Sequence, residues 1–337
     1  MTALPDPSGS PAPALPEAEL LARTAVIVVS YNSAELLRRN LAPLSARAPE
    51  AQVVVVDNRS TDRARQELTA LARRHRWSTV LPETNTGFGA GMNLGAARAA
   101  QAGAEVLVLL NPDALLGRED LVRLARRAHR CPDALVGPLV RDSSGKVVSD
   151  GVVVCLADGS MRSRRSRRPV PSGGTSPWLS GACLALSTGL FERVGGFDAR
   201  YFLYWEDVDF SARILRAGGR LVLERKALAV HDEGGTHAGG RQGSRAKSET
   251  YYYYNIRNRL LYAALHLERA GRRRWLLTAG TAAREIVLRG GRRQFLTSLR
   301  PLATALAATR DGYRLLRTAE GGTLPDPALP VPRTALS

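Results

Sequence analysis

The sequence predicts an α/β fold, a doubly wound and mainly parallel sheet carrying a C-terminal helical extension, on three observations. The runs TAVIVVS (24–30) and QVVVVD (52–57) are continuously apolar and β-branched, the composition of strands buried on both faces. Helical periodicity separates them from each other and from a third run, EVLVLL (105–110), and such alternation implies parallel strands joined by helical crossovers. From 248 to about 318 the pattern is helical throughout.

The elements follow in order. Residues 1–22, rich in Pro, Ala and Ser, are expected to be a disordered tail. A domain over 23–247 is expected next, then the extension over 248–319 and a Gly/Pro-rich tail over 320–337. After the first strand, 33–47 reads as a helix. A second helix over 61–74 takes Ser60 or Thr61 as its cap, since a hydroxyl there accepts from a free N–H of the first turn. Helices over 89–102 and 118–130 come next, then strands near 134–140 and 147–155. An exposed arginine loop, RSRRSRR (162–168), leads to a buried strand at 178–187. An acidic helix near 206–217 and the strand LVLE (221–224), continued by ALAV (227–230), complete this part.

A chain of 337 residues suffices for one large core with an appendage. Its net charge of +17 suits an anionic partner. Only three residues, Lys146, Lys226 and Lys247, are lysines, so the excess is almost wholly arginine and permits an anionic partner without specifying one. Cys131, Cys155 and Cys183 lie far apart with no C-x-x-C pair, so reduced thiols are expected rather than a disulfide framework or zinc module. No stretch approaches the ~20 apolar residues of a membrane span, and the N-terminus lacks the pattern of a signal peptide, which points to the cytoplasm.

In the extension, arginines outnumber acids 14 to 4 between 249 and 319, a local charge of +10. Apolar residues such as Trp275, Ile286, Val287, Leu299, Leu302 and Leu306 recur at helical spacing. Part of that face is expected to pack on the core. The rest reads equally as a solvated charged face or as a basic amphipathic surface for anionic lipid. The run Tyr251–Tyr254 points in all directions around a helix and cannot form one base-stacking platform, so no nucleic-acid partner is expected.

The chemistry concentrates at strand ends, where open α/β sheets bind ligands. Ser30, Tyr31 and Asn32 follow the first strand, Asp57 and Asn58 the second, and Asn111-Pro-Asp113 the third. Asp57 can accept from a ribose or base edge, or simply form a turn. Asp113 suits a hard cation, and His231 can add a nitrogen ligand where the metal is Mn²⁺. His237 is a nearby alternative. The glycine-rich stretch from Asn85 to Gly95 opens a helix, and its glycines would let backbone approach a ligand closely. It does not follow the first strand, so a dinucleotide fingerprint is excluded. Most informative is YFLYWEDVDFSARILRAG (201–218), which places Glu206, Asp207 and Asp209 after an aromatic run at a helix start. A carboxylate there can serve as a general base, or merely favour the helix dipole. Asp209 and Arg213, four apart, are expected to pair.

The segments VIVVSYNS, VVVVDNRSTD, NTGFGAGMNLG, LLNPDA, GGFDxxYFLYWEDVDFSxR and a later His occur in one order. Over about 24–260 this resembles glycosyltransferase family 2, in particular its rhamnosyltransferase-like bacterial members. The resemblance implies a GT-A fold, a nucleoside-diphosphate sugar donor, Mn²⁺ or Mg²⁺, and inversion at the anomeric carbon. It assigns Tyr31, Asn32, Asp57 and Asn58 to the nucleoside pocket and Asn85, Gly87, Gly89, Asn93 and Asn111 to the nucleotide site. Asp113 stands at the second acid of the family's D-x-D motif, whose first acid is replaced by Asn111. His231 falls at the metal-binding histidine and Asp207 at the general base. Gly181, Ala182 and Cys183 border the acceptor; Trp205, Glu206, Asp209 and Arg213 are expected on that side or as positioning residues. The implied acceptor is a glycan or lipid-linked glycan, met at the inner face of the plasma membrane, and the leading donor is dTDP-rhamnose. A soluble natural-product acceptor, a nucleotidyltransferase, and a non-catalytic sugar-nucleotide or nucleic-acid-binding protein are the rival readings. A nucleotidyltransferase would carry a basic glycine-rich loop where SYNS stands.

Overall fold

In a computed structural model, residues 15–163, 173–231 and 247–320 are described. The strands are β1 (Thr24–Ser30), β2 (Gln52–Asp57), β3 (Ser78–Val80), β4 (Val106–Leu110), β5 (Ala114–Leu116) and β6 (Ala134–Arg141). They continue as β7 (Val147–Ser149), β8 (Val152–Cys155), β9 (Met161–Ser163), β10 (Thr175–Trp178), β11 (Cys183–Ser187) and β12 (Arg220–His231). The main sheet runs β3-β2-β1-β4-β11-β6-β12-β5, with β7 beside β6. Its first four strands are parallel, β11 is inserted antiparallel against β4 and β6, and β12 lies parallel to β6. A separate three-stranded sheet runs β10-β8-β9.

The unbroken apolar strands divide their side chains between two layers because successive residues face opposite ways. Val26, Val28, Val53, Val55 and Val108 join the cluster under Leu37, Leu41, Leu68, Leu121 and Leu124. Their neighbours Ile27, Val29, Val54, Val56 and Leu109 join the other cluster, with Met92, Phe191, Phe197 and Phe210. Each such side chain, once buried, stabilises the fold by about 1.5–3 kcal/mol. Helices thus cover both faces, as the alternation predicts. This architecture is that of a GT-A fold.

Three expectations need correction. Part of the presumed N-terminal tail, Glu17–Ala22, is a helix whose Leu20 and Leu21 are buried in the first cluster. The predicted strand at 178–187 is two pieces, because Ser180-Gly181 turns the chain out of the small sheet before β11 enters the large one. The strand at 147–155 is also split, with Gly151 at φ 98° between its halves. The arginine loop, from residue 164 on, and His237 lie outside the described residues.

The extension is helical: Glu249–His266, Arg269–Leu277, Ala279–Leu288 and Arg300–Glu320, with a 3-10 turn at Arg292–Leu296. It is joined to the sheet domain by aromatic packing. Trp275, Tyr262 and Leu261 bury themselves against Tyr201, Trp205 and Val208. Among the described residues no helix is long and apolar enough to cross a membrane.

Candidate active site

The carboxyl ends of β1, β2 and β4 form one rim. Asp57 is buried there; its Oδ2 accepts from Arg65 Nε at 2.5 Å and its Oδ1 from the Ser60 N–H at 3.3 Å. Asn32, at φ 52°, accepts from the Thr61 N–H at 2.9 Å and donates its own N–H to Ser60 Oγ at 2.8 Å. Tyr31 is exposed at the same rim. Asn58 does not open toward a pocket. Its Oδ1 accepts from the Thr86 N–H and its Nδ2 donates to the Gly87 carbonyl, both at 2.9 Å, so its role is to fasten the glycine-rich loop.

That loop departs from expectation in a second way. Asn85 Oδ1 accepts from the Gly87 N–H at 3.0 Å, and Gly87 adopts φ 84° at the start of helix Phe88–Gln101. A Cβ on Gly87 would lie 2.4 Å from the Phe202 carbonyl oxygen, and one on Gly89 would lie 2.9 Å from Phe197 Cβ. These glycines therefore admit the aromatic segment that precedes the acidic helix. Asn93 belongs to the same seam, its amide paired with both the N–H and the carbonyl of Phe197 at 2.8 Å.

Asn111-Pro-Asp113 turns out of β4 into β5. The antiparallel pairing of β5 with β12 sets His231 opposite Ala114, which brings His231 Nε2 within 3.1 Å of Asp113 Oδ1. Asn111 Oδ1 is buried and makes no hydrogen bond among the described residues. A carboxylate, an imidazole and a nearby amide oxygen fit a Mn²⁺- or Mg²⁺-like cation that takes its remaining oxygens from a diphosphate. Among the described residues there is no cluster of three or more His, Cys, Asp or Glu to hold a metal without such a ligand.

The Ser180–Ala182 turn links this acid to the next. The Ala182 carbonyl accepts from the Asn111 N–H at 3.0 Å, while the Gly181 N–H donates to Asp207 Oδ2 at 2.8 Å. Asp207 Oδ1 accepts from the Val208 N–H at 2.9 Å. Half-buried among its neighbours, the Asp207 carboxyl is desolvated and its pKa rises to about 6, the two backbone donors opposing the rise. Glu206 is buried, its Oε2 makes no hydrogen bond among the described residues, and burial with the adjacent Asp207 pushes its pKa well up. The two carboxyls differ chemically. Burial raises Glu206 above the usual carboxylate range, whereas Asp207, at about 6, titrates just below neutrality, where a general base works.

Asp209 and Arg213 pair as expected, Oδ2 to Nε at 2.7 Å. Arg213 also donates from Nη1 to the Val194 carbonyl at 2.7 Å and lies over the Phe210 ring, while its Nη2 is buried and makes no hydrogen bond among the described residues. Asp209 Oδ1 contacts His266 Nε2 at 2.7 Å, and these partners hold its carboxyl below its usual pKa against the cost of burial. Trp205, expected on the acceptor side or as a positioning residue, is buried against Tyr262 and Trp275.

Three residues that complete the site carry no local signal. Asn40 sits in a π-helical turn, Leu37–Leu41, and donates to the Pro112 carbonyl at 2.9 Å, steadying the Asp113 turn. Asn258 is buried in the tyrosine-rich helix, and its Nδ2 reaches the carbonyls of Tyr201, Leu203 and Tyr204 at 2.8–2.9 Å. That clasp holds a segment in which Phe202, Tyr204 and Trp205 all have positive φ (40°, 64° and 73°). His266 anchors Asp209 from the end of the same helix. Only pairings across more than 50 residues reveal these roles.

Comparison with known proteins agrees with this fold. The model of the family described as Glycosyl transferase family 2 matches residues 25–194. The chain is 33% identical over 242 residues to an N-acetylglucosaminyl-diphospho-decaprenol L-rhamnosyltransferase of Mycobacterium tuberculosis, covering 64% of this chain and 77% of that protein. It is 24% identical over 221 residues to the rhamnosyltransferase WbbL of Escherichia coli K12, covering 61% and 82%. Among solved structures, the mannosyltransferase PcManGT of Pyrobaculum calidifontis in complex with GDP-Man and Mn²⁺ superposes with a TM-score of 0.51 at 19% identity, over 89% of this chain and 83% of that one. GalNAc-T7 with UDP, GalNAc and Mn²⁺ gives the same TM-score at 16% identity, over 72% and 50%.

Proposed function

The chain belongs to glycosyl transferase family 2 and is a glycosyltransferase; we propose that it moves a sugar from a nucleoside diphosphate to a hydroxyl of a lipid-linked glycan, with inversion. Rhamnose from dTDP-rhamnose is the proposed donor group, and an N-acetylglucosaminyl-diphospho-lipid the proposed acceptor, supported by the likeness to the mycobacterial and Escherichia enzymes. Such an acceptor and a nucleotide sugar meet at the inner face of the plasma membrane. The observation that carries the mechanism is the Ser180–Ala182 turn, which ties the Asp113 turn to Asp207 through two backbone hydrogen bonds.

Asp207 takes the proton from the acceptor hydroxyl as its oxygen bonds to the anomeric carbon. The bond from that carbon to the diphosphate oxygen breaks on the opposite face, and the nucleoside diphosphate leaves with the bonding pair. One displacement inverts the centre, and no covalent enzyme intermediate forms. Asp113 and His231 would hold the divalent cation, which when bound neutralises charge on the departing diphosphate. Asp57, buried and paired with Arg65, would shape the nucleoside side of the rim, and Glu206 stands beside Asp207 with its Oε2 unpartnered among the described residues.

The test is turnover by purified protein of dTDP-rhamnose, UDP-glucose, UDP-galactose, UDP-N-acetylglucosamine and GDP-mannose, with and without a prenyl-diphospho-N-acetylglucosamine acceptor. Metal-dependent transfer from one donor, abolished in Asp207→Asn, is the expected result. Failure to bind any of the donors in calorimetric titration would overturn the proposal.

A further inference from the structure

The outer side of the last helix and of the stretch leading into it carries exposed apolar side chains. Leu299, Leu302 and Leu306 are 69%, 50% and 74% exposed, and Leu296, at the end of the preceding 3-10 turn, is 86% exposed. The opposite side is used: Ala305 and Ala308 are buried against Tyr252, Tyr253 and Ile286. At 100° per residue, Leu302, Leu306, Arg310, Tyr313 and Arg317 share an arc of about 80°. Leucine thus occupies the first turns of one stripe and arginine the last. Arg292, Arg293 and Arg300 flank the leucines from the other end; the first two are exposed and make no ion pair among the described residues, and Arg300 only approaches Glu249 at 3.9 Å.

We infer that this surface, Leu296 to Leu306 bracketed by arginines, docks the protein on an anionic lipid bilayer. Apolar side chains flanked by cations match the acyl–headgroup boundary, where leucines sink and arginines meet phosphates. A second copy of the chain is a poor occupant, since it brings the same +10 of the extension to the contact. The docking face is one helical layer from the chemistry: Tyr254, in the cluster that receives Ala305 and Ala308, also stacks on Phe202, five residues before Asp207. Docking would therefore hold the site close to the membrane plane, whichever sugar is transferred.

The full chain is sedimented with vesicles of phosphatidylcholine alone or with about 30% phosphatidylglycerol, at low and high salt. Binding to the anionic vesicles is expected to exceed binding to neutral ones by about tenfold or more and to weaken with salt. The pair Leu299→Asp/Leu306→Asp is expected to lower it by about tenfold or more, and Arg292→Glu/Arg293→Glu to lower it on anionic vesicles alone. Circular dichroism and donor turnover in solution should match the parent in both variants, as these side chains are exposed. The inference is overturned by absence of vesicle binding, by equal binding to both vesicle types, or by full binding of the leucine variant. A parent dimer in sedimentation velocity that the leucine changes disperse would also overturn it, assigning the face to self-association.

Discussion

The Gly181 N–H donates to Asp207 Oδ2 across 2.8 Å, and no side chain on residue 181 intervenes. A Cβ there would stand 3.2 Å from Asp207 Cβ and 3.3 Å from its Oδ2, closer than the carboxylate tolerates without shifting. Gly181→Ala is therefore expected to lower kcat by about tenfold, since small misplacements of a reacting group cost rate steeply. Donor KM should change little. Steady-state kinetics separates the two.

The raised pKa of Asp207, about 6, fixes the direction of the pH dependence. A base must be deprotonated, so kcat/KM should climb as pH rises through about 6 and then level. Asp207→Asn should lose about 10²–10⁴-fold in rate. Stability moves the opposite way. A carboxyl whose folded pKa lies above its ordinary 3.8 favours the native state only while protonated, so that advantage is lost as pH rises from about 4 to 6. Asp207→Asn should accordingly melt higher than the parent at neutral pH, with the gap closing toward pH 4. Thermal melts across pH decide this.

Removing the Asn258 amide leaves three carbonyls of the 201–204 segment without their donor. Asn258→Leu is expected to cost about 2–4 kcal/mol, more than one ordinary hydrogen bond, because the carbonyls stay in place without replacement partners. Asn258→Asp should fare no better, since a carboxylate cannot donate. Urea denaturation reads the loss, and a parallel fall in kcat would tie it to the orientation of Asp207.

Asp113 and His231 meet at 3.1 Å across the β5–β12 edge. His231→Ala should raise the Mn²⁺ concentration for half-maximal rate by more than about tenfold, the lower end of what even indirect supports of a metal contribute. Asp113→Ala should leave no metal-dependent rate at all. Titration of activity against Mn²⁺ at saturating donor tests both.

What the sequence makes legible is whatever a short window contains. Val26–Val29 and Val53–Val56 announce buried parallel strands because both faces are apolar, and Asp57, Asp113 and Asp207 are noticeable because each ends a strand or begins a helix. The glycines at 87 and 89 are visible, but their purpose is not: the contacts that demand them, Phe202 and Phe197, lie over a hundred residues away in the chain. His231 gained its meaning from β5, three residues long and too short to register as a pattern. Asn40 and Asn258 look like ordinary polar positions of helices until the carbonyls they hold come into view. Side chains that serve backbone at a distance leave no periodicity behind.

Phe202, Tyr204 and Trp205 stand in a backbone region that costs a side-chain-bearing residue about 1–3 kcal/mol each. The amide that holds them there belongs to the helical extension. Cut the gene before the codon for Ser248 and the sugar-transferring half keeps every acid of its machinery, yet loses the hand on its spring. The segment would uncoil toward ordinary angles and carry Asp207 with it. Swapping catalytic domains between relatives should therefore succeed only when each brings its own tyrosine helix.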